Sequence, residues 1–302
     1  MKAVICPKTV FILILSLAGL FLAAPAQAQA GTGKAPLVED KLAQSYRAMY
    51  DLKFTEAFKA ADEAKSLAAD DPLPFVAQAW VVFFRELDRL HALRSEVFAT
   101  DDNFHASRSG YVWDAANKKI FDDALAQTEK LAQARLSRDQ NDPRALLALA
   151  LANGLRGDDL GLFSKKDMSA LSYVKAATNY AERLLALSPD SYDAYVATGL
   201  GKYIIGRRSA PVRWVLRMGG YKGDEDEGIR ELSLAAEHAR YLAPFARILV
   251  AFEDIRRNNT DSARKSLEQL HQQFPHNPLF AEEISKLGRT SARLSNRISQ
   301  GN

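Results

Sequence analysis

Cysteine is almost missing from this chain. Cys6 is the only one in 302 residues, so no disulfide can form within the molecule and packing must hold the fold. A surplus of one charge is missing too: 40 Lys and Arg face 37 Asp and Glu, a formal +3. So balanced a chain lacks the basic excess that nucleic-acid binding requires. No strand-length stretch alternates apolar with polar residues, which argues against a sheet. His-Glu-x-x-His, Gly-x-Ser-x-Gly and phosphate-cradling glycine loops do not occur. The one glycine cluster, Gly219 to Asp224, follows a predicted helix instead of a strand. The sequence therefore predicts no catalytic residue, no cofactor and no metal.

Long apolar runs are also absent, except at the start. Lys2 and Lys8 precede an apolar stretch from Val10 to Ala24, and Pro25-Ala26-Gln27-Ala28-Gln29-Ala30 follows it. This pattern predicts a secretory signal peptide over 1–30, cleaved after Ala30, with Ala28 as the other site. The alternative is an uncleaved N-terminal anchor, although the run is short for a spanning helix of about 20 residues. Cys6 lies ahead of the run, so it cannot be a lipoprotein's lipid-bearing cysteine. Cleavage would remove Lys2 and Lys8 and lower the formal charge from +3 to +1. The expected location is the periplasm or the exterior. Residues 31–37 read as a flexible leader, 38–296 as one helical domain and 297–302 as a disordered tail.

What the chain does have is helical periodicity with small residues at regular places. The fullest unit is Arg247 to Pro275, two apolar-striped helices around the polar turn Arg257–Asp261. Ala251 and Ala263 allow the pair to touch, Leu267 and Leu270 follow one turn apart, and Pro275 ends the second helix. Ala57, Ala61 and Ala64 repeat this stripe before Asp70-Asp71-Pro72. Ala177, Ala181 and Leu184 repeat it again, with Pro189 as far from Ala177 as Pro275 is from Ala263. Gly228, Leu232 and Ala235 give a fourth copy. Between these units, Leu73–Ala99 predicts one long helix, Thr100–Tyr111 a loop, Val112–Ser137 a helix and Gly157–Asp167 a polar insertion. Gly199 and Gly201 offer close approach on the helix Tyr192–Ile205. Arg207–Gly223 interrupts its hairpin, and Asn277-Pro278 opens a last helix reaching about Leu294.

The units around Ala57, Ala177, Gly228 and Ala263 resemble the tetratricopeptide repeat superfamily, whose helix–turn–helix of about 34 residues ends near a proline. The resemblance implies an all-α fold, an α-solenoid of stacked antiparallel hairpins. It also implies that the first helix of each hairpin lines a concave face, where an extended peptide or partner helix docks. Tyr46, Tyr50, Phe83, Phe84, Tyr192, Tyr195 and Tyr203 fall on such helices and are read either as core or as groove. A signal peptide on such repeats is also similar to the extracytoplasmic T-component of TRAP transporters, which implies an accessory ligand-binding role.

One stretch has chemistry of its own. Arg207, Arg208, Arg213, Trp214, Arg217 and Lys222 precede the acidic run Asp224-Glu225-Asp226-Glu227. Arg213 and Arg217 are one helical turn apart, with Trp214 beside them, and Arg and Trp dominate binding hot spots. Two readings stand: the arginines pair internally with the acidic run, or Arg207–Lys222 meets a partner or a membrane surface. Among the five histidines, only His105 near Asp101 and Asp102 forms a cluster that could take a cation, against a plain capped loop. The resulting expectation is an exported adaptor for a protein or peptide partner. The alternatives are a ligand-binding accessory with an apolar pocket among the Trp80–Phe84 and Tyr192–Tyr203 helices, and an envelope enzyme.

Overall fold

The computed structural model describes residues 34–98 and 101–300, so the predicted signal peptide lies outside the described residues. Every regular element among them is helical. In chain order they are α1 (Lys34–Tyr50), α2 (Phe54–Leu67), α3 (Leu73–Arg89), α4 (Ser95–Phe98), α5 (Asp101–Arg108), α6 (Ala115–Leu136) and α7 (Pro143–Asp159). There follow a π-helical turn (Leu160–Ser164), α8 (Asp167–Leu187), α9 (Ala194–Gly206), α10 (Ala210–Met218), α11 (Glu225–His238), α12 (Ala243–Arg256), α13 (Thr260–Gln273) and α14 (Pro278–Gln300). The main helices pack as antiparallel hairpins in sequence order: α1–α2, α3–α6, α7–α8, α9–α11 and α12–α13, with α14 on the last. The stacked-hairpin, all-α architecture is the one the alanine stripes predict.

Local chemistry sets the boundaries. Asp114, Asp142 and Asp224 each accept from a backbone N–H three residues on, at 2.9 Å, and so start α6, α7 and α11. Pro143 and Pro278 occupy first-turn positions where their missing N–H costs nothing. Small residues set the spacing between helices: Ala57, Ala61, Ala64, Ala177, Ala181 and Ala263 are all buried. The tightest crossing is α9 on α11, where a Cβ on Gly228 would lie 2.6 Å from the Gly199 carbonyl oxygen and 2.6 Å from the Tyr203 nitrogen.

Several expected boundaries are corrected. The predicted helix Leu73–Ala99 stops at Arg89, because His91 turns left-handed (φ 54°) and Ala92 N–H closes back on the Leu87 carbonyl. The expected loop Thr100–Tyr111 contains α5, held by the nearly buried Arg108, whose guanidinium donates to the Gly161 carbonyl (2.8 Å) and Asp167 (2.6 Å). The expected polar insertion Gly157–Asp167 is the end of α7 plus the π turn, which packs Phe163 on Trp113 at 4.5 Å between ring centroids. Helix begins at Lys34, inside the expected leader, and α14 continues to Gln300, through most of the expected tail.

The stack also closes on itself. Tyr46 on α1 stacks on Tyr241 at 5.2 Å, and Trp80 on α3 meets Phe245 on α12 edge-on at 5.1 Å. Asn277 donates to the Tyr50 carbonyl (2.9 Å), and His276 Nδ1 lies 2.8 Å from Asp51. Glu283 on α14 accepts from the Ser95 hydroxyl, and Lys286 pairs with Glu96 at 2.6 Å. The last hairpin and α14 therefore seal against the first two hairpins, and aromatic side chains fill the space between them.

Candidate docking surface

Antiparallel stacking puts every turn from a first to a second helix at one edge of the array. Three of those turns are enlarged: Leu90–Asp114 by α4 and α5, Leu160–Lys166 by the π turn, and Arg207–Asp224 by α10. Of the large apolar side chains exposed among the described residues, Val112, Met168, Val212, Trp214, Val215 and Met218 all belong to this edge.

The most unusual element there is α10. Pro211 in its first turn starts the helix, and Gly220 (φ 77°) ends it, with Tyr221 N–H closing on the Leu216 carbonyl at 3.0 Å. That left-handed position suits glycine, and the closure is the expected helix-ending motif. Leu216 is the one buried residue of α10, at 6% exposure, whereas Trp214 is 63% and Met218 66% exposed. In an ordinary surface helix the apolar stripe faces the core. Here much of it faces out.

Polar contacts fix α10 in that orientation. Arg213 donates to the Gly206 carbonyl at 3.0 Å, occupying a free acceptor at the end of α9. Lys175 of α8 donates to the Gly219 carbonyl at 2.6 Å and lies 5.2 Å from the Tyr221 ring centre. Lys222 pairs with Glu182 at 2.8 Å. Arg207 lies 5.6 Å from the Tyr203 ring centre.

Of the two sequence readings of the arginines, internal pairing with the acidic run does not occur at Arg208, Arg213 or Arg217. Glu225 is held instead by Arg257 (3.0 Å) and Arg256 (3.6 Å), and Glu227 by Arg230 and, at 3.7 Å, by Lys202. The Asp224 side chain caps α11. The acidic run thus faces α12 and its own helix. Arg208 and Arg217 are exposed, and no carboxylate among the described residues pairs with either.

The aromatic candidates divide differently from the groove reading. Phe83 is buried against Trp113, Phe121 and Phe163, and Phe84 is buried against Tyr50, Trp80 and Phe245. Both are core, not groove. Tyr203 donates its hydroxyl to the buried Glu253, which also accepts from Arg256 (2.9 Å) and Arg257 (2.5 Å). Burial pushes the Tyr203 hydroxyl up to about 12, aided by that carboxylate. Burial alone would raise Glu253, but the Tyr203, Arg257 and Arg256 donors outweigh it and hold the carboxyl below its usual value. Tyr192 and Tyr195 stay half-buried, with rings 6.2 Å apart and Tyr192 4.9 Å from His238. The structure does not bring these tyrosines into one site with Arg208 and Arg217.

The side chains of Asp101, Asp102 and His105 lie outside the described ones, although their backbone belongs to α5. Among the described residues no three His, Cys, Asp or Glu side chains converge in a way that could hold a metal ion, and no helix is long and apolar enough to cross a membrane. One further carboxyl departs strongly from its ordinary value. Burial, and then the neighbouring Asp159, push Asp158 up to about 7. Asp159 itself accepts from Trp113 Nε1 at 2.7 Å.

The closing seam encloses a small cavity of about 80 Å³, lined by Tyr50, Phe84, Leu87, Phe245, Leu249 and Phe280 among others. Sequence reasoning missed Val212, Val215 and Met218. The signal was present in APVRWVLRM, whose apolar residues recur at helical spacing, but periodicity alone does not say which way a stripe faces. No protein-family profile, curated protein or solved structure matches the chain.

Proposed function

We propose that this protein is an exported, tetratricopeptide-like scaffold of the cell envelope that works by docking through its α10 edge, not by chemical transformation. The observation that carries the reading is the outward apolar face of α10, fixed by Arg213, Lys175 and Gly220 in a position where the described residues leave Trp214, Val215 and Met218 more than half exposed. An exposed apolar patch rimmed by polar groups marks an interaction surface. The concave side, where such scaffolds hold a peptide, is filled here by the Trp80, Phe84 and Phe245 rings. Docking is therefore assigned to the edge.

The accessory ligand-binding reading has less support. Pockets for small organic ligands run to roughly 300–1,000 Å³. The seam cavity, at about 80 Å³, falls well short of that. The larger hollow of about 760 Å³ is an open one on α1 and α2, lined by Lys41, Phe58, Lys59, Asp62 and Glu63, away from the Trp80–Phe84 and Tyr192–Tyr203 helices.

A photocrosslinking residue placed at Val215 of the full chain, in its native envelope, tests the docking role. The exposed Leu187, on α8 at the opposite edge, is the control site. Adducts from position 215 and none from 187 are expected. Equal labelling, or none, would remove α10 as the docking element.

A further inference from the structure

The geometry points to an anionic phospholipid surface as the occupant of the α10 edge. This inference rests on the docking role proposed above and names the partner. Three observations carry it. First, residues 207–223 contain five Lys or Arg and no Asp or Glu, and the acidic residues that follow are engaged elsewhere, with Arg256, Arg257, Arg230 and Lys202. Arg208 and Arg217 thus have charge to offer that nothing in the described chain neutralises. Second, Trp214, Val215 and Met218 share about 100° of arc on the helix, and all three are more than half exposed. Third, Leu216 is the one buried residue of α10, so most of the helix surface protrudes from the body.

A protruding, cation-flanked apolar face offers no groove to receive a peptide. It fits a helix lying in the plane of a bilayer, with its apolar side among the acyl chains and its arginines at the phosphate level. Tryptophan also favours that boundary, having an apolar ring and one N–H to keep hydrated. A second copy of the chain fits less well. A two-fold contact through α10 would bring two faces flanked by Arg208 and Arg217 together, like charge upon like.

Trp214 supplies a probe that needs no label. Of the three tryptophans, Trp80 is buried, Trp113 half-buried and Trp214 63% exposed, so Trp214 carries most of the iodide-accessible emission. Trp214→Phe checks that assignment by removing that share. The full chain is mixed with vesicles of phosphatidylglycerol and phosphatidylethanolamine, and in parallel with vesicles of phosphatidylcholine alone. The anionic vesicles should blue-shift the Trp214 emission and protect it from iodide, and the neutral ones should not. Each arginine near a charged surface contributes about a factor of five, so Arg208→Gln/Arg217→Gln should weaken the affinity roughly 30-fold at low salt. Because the readout is local, membrane binding through the N-terminal apolar stretch does not imitate it.

No protection by either vesicle, or equal protection by both, overturns the inference. So does protection that grows with protein concentration in the absence of lipid, which would identify a second copy. If the Val215 crosslinker captures only a protein, the lipid inference falls and the docking role stands. If Val215 captures neither protein nor lipid, both fall.

Discussion

Trp80 and Phe245, on the second and the last hairpins, meet edge-on with ring centroids 5.1 Å apart. This is the central contact of the seam that turns a stack of hairpins into a closed body. Phe245→Ala should destabilise the protein by about 2–4 kcal/mol, through lost burial and an added cavity. A double-mutant cycle with Trp80→Phe, read by denaturant unfolding, should return a coupling of roughly 0.5–1.5 kcal/mol. Additivity of the two substitutions would mean that the seam is loose.

Gly228 should be intolerant of the smallest change. Its absent side chain lets α11 approach Gly199 and Tyr203 on α9, with main chain on the receiving side at 2.6 Å. Backbone cannot give way as a flexible side chain can. Gly228→Ala should lower stability by about 1–3 kcal/mol, measured as a drop in the urea midpoint with an unchanged slope.

The outer face of α10 should tolerate change. Trp214→Ser and Val215→Ser, both at exposed positions, should shift stability by no more than about 0.5 kcal/mol. Leu216→Ala, one residue away but buried, should cost about 1–2 kcal/mol or unlatch α10 locally. Thermal unfolding of the three variants separates the outward face of α10 from its packing face.

Two carboxyls should give opposite pH signatures. Asp158 is raised from about 4 to about 7, so across that window the folded state keeps a proton that the unfolded state has lost. It therefore opposes folding increasingly as pH rises, by up to about 1.4 kcal/mol per pH unit. Asp158→Asn should stabilise the protein at pH 8 and have little effect at pH 4. Glu253 is lowered, so its contribution is present above the ordinary glutamate value and fades as pH falls through its folded value. Glu253→Gln should cost about 2–4 kcal/mol at pH 7, a loss that shrinks in acid. Stability profiles of the two variants from pH 3 to 9 check both signs.

The hairpins were legible because their signals are local. Buried alanines at Ala57, Ala177 and Ala263, and the prolines and aspartates between units, state helix contact and helix end within a few residues of sequence. The turn at Asn258 was legible within the polar segment Arg257–Asp261, but the left-handed backbone at Leu52, His91 and Lys165 was not. Those three lack the glycine or asparagine that usually marks such a conformation, so burial and the surrounding hydrogen bonds decide them. The seam was invisible for a different reason: nothing near Tyr46 or Trp80 in sequence names Tyr241 or Phe245. At the proposed docking surface, Arg208, Trp214 and Arg217 were identified from composition and spacing. The direction in which α10 faces depends on the Gly206 carbonyl and on Lys175, which come from two other helices.

An open helical array can be lengthened or trimmed one unit at a time, because each unit answers only to its neighbours. This chain has given up that freedom. With Asn277 bonded to the Tyr50 carbonyl and Phe274 5.6 Å from the Tyr50 ring, the hairpin number is set by the circumference that brings those residues together. Removing one hairpin would leave two mismatched ends instead of a shorter version of the same object. The molecule should accordingly melt in one step, not fray from its termini.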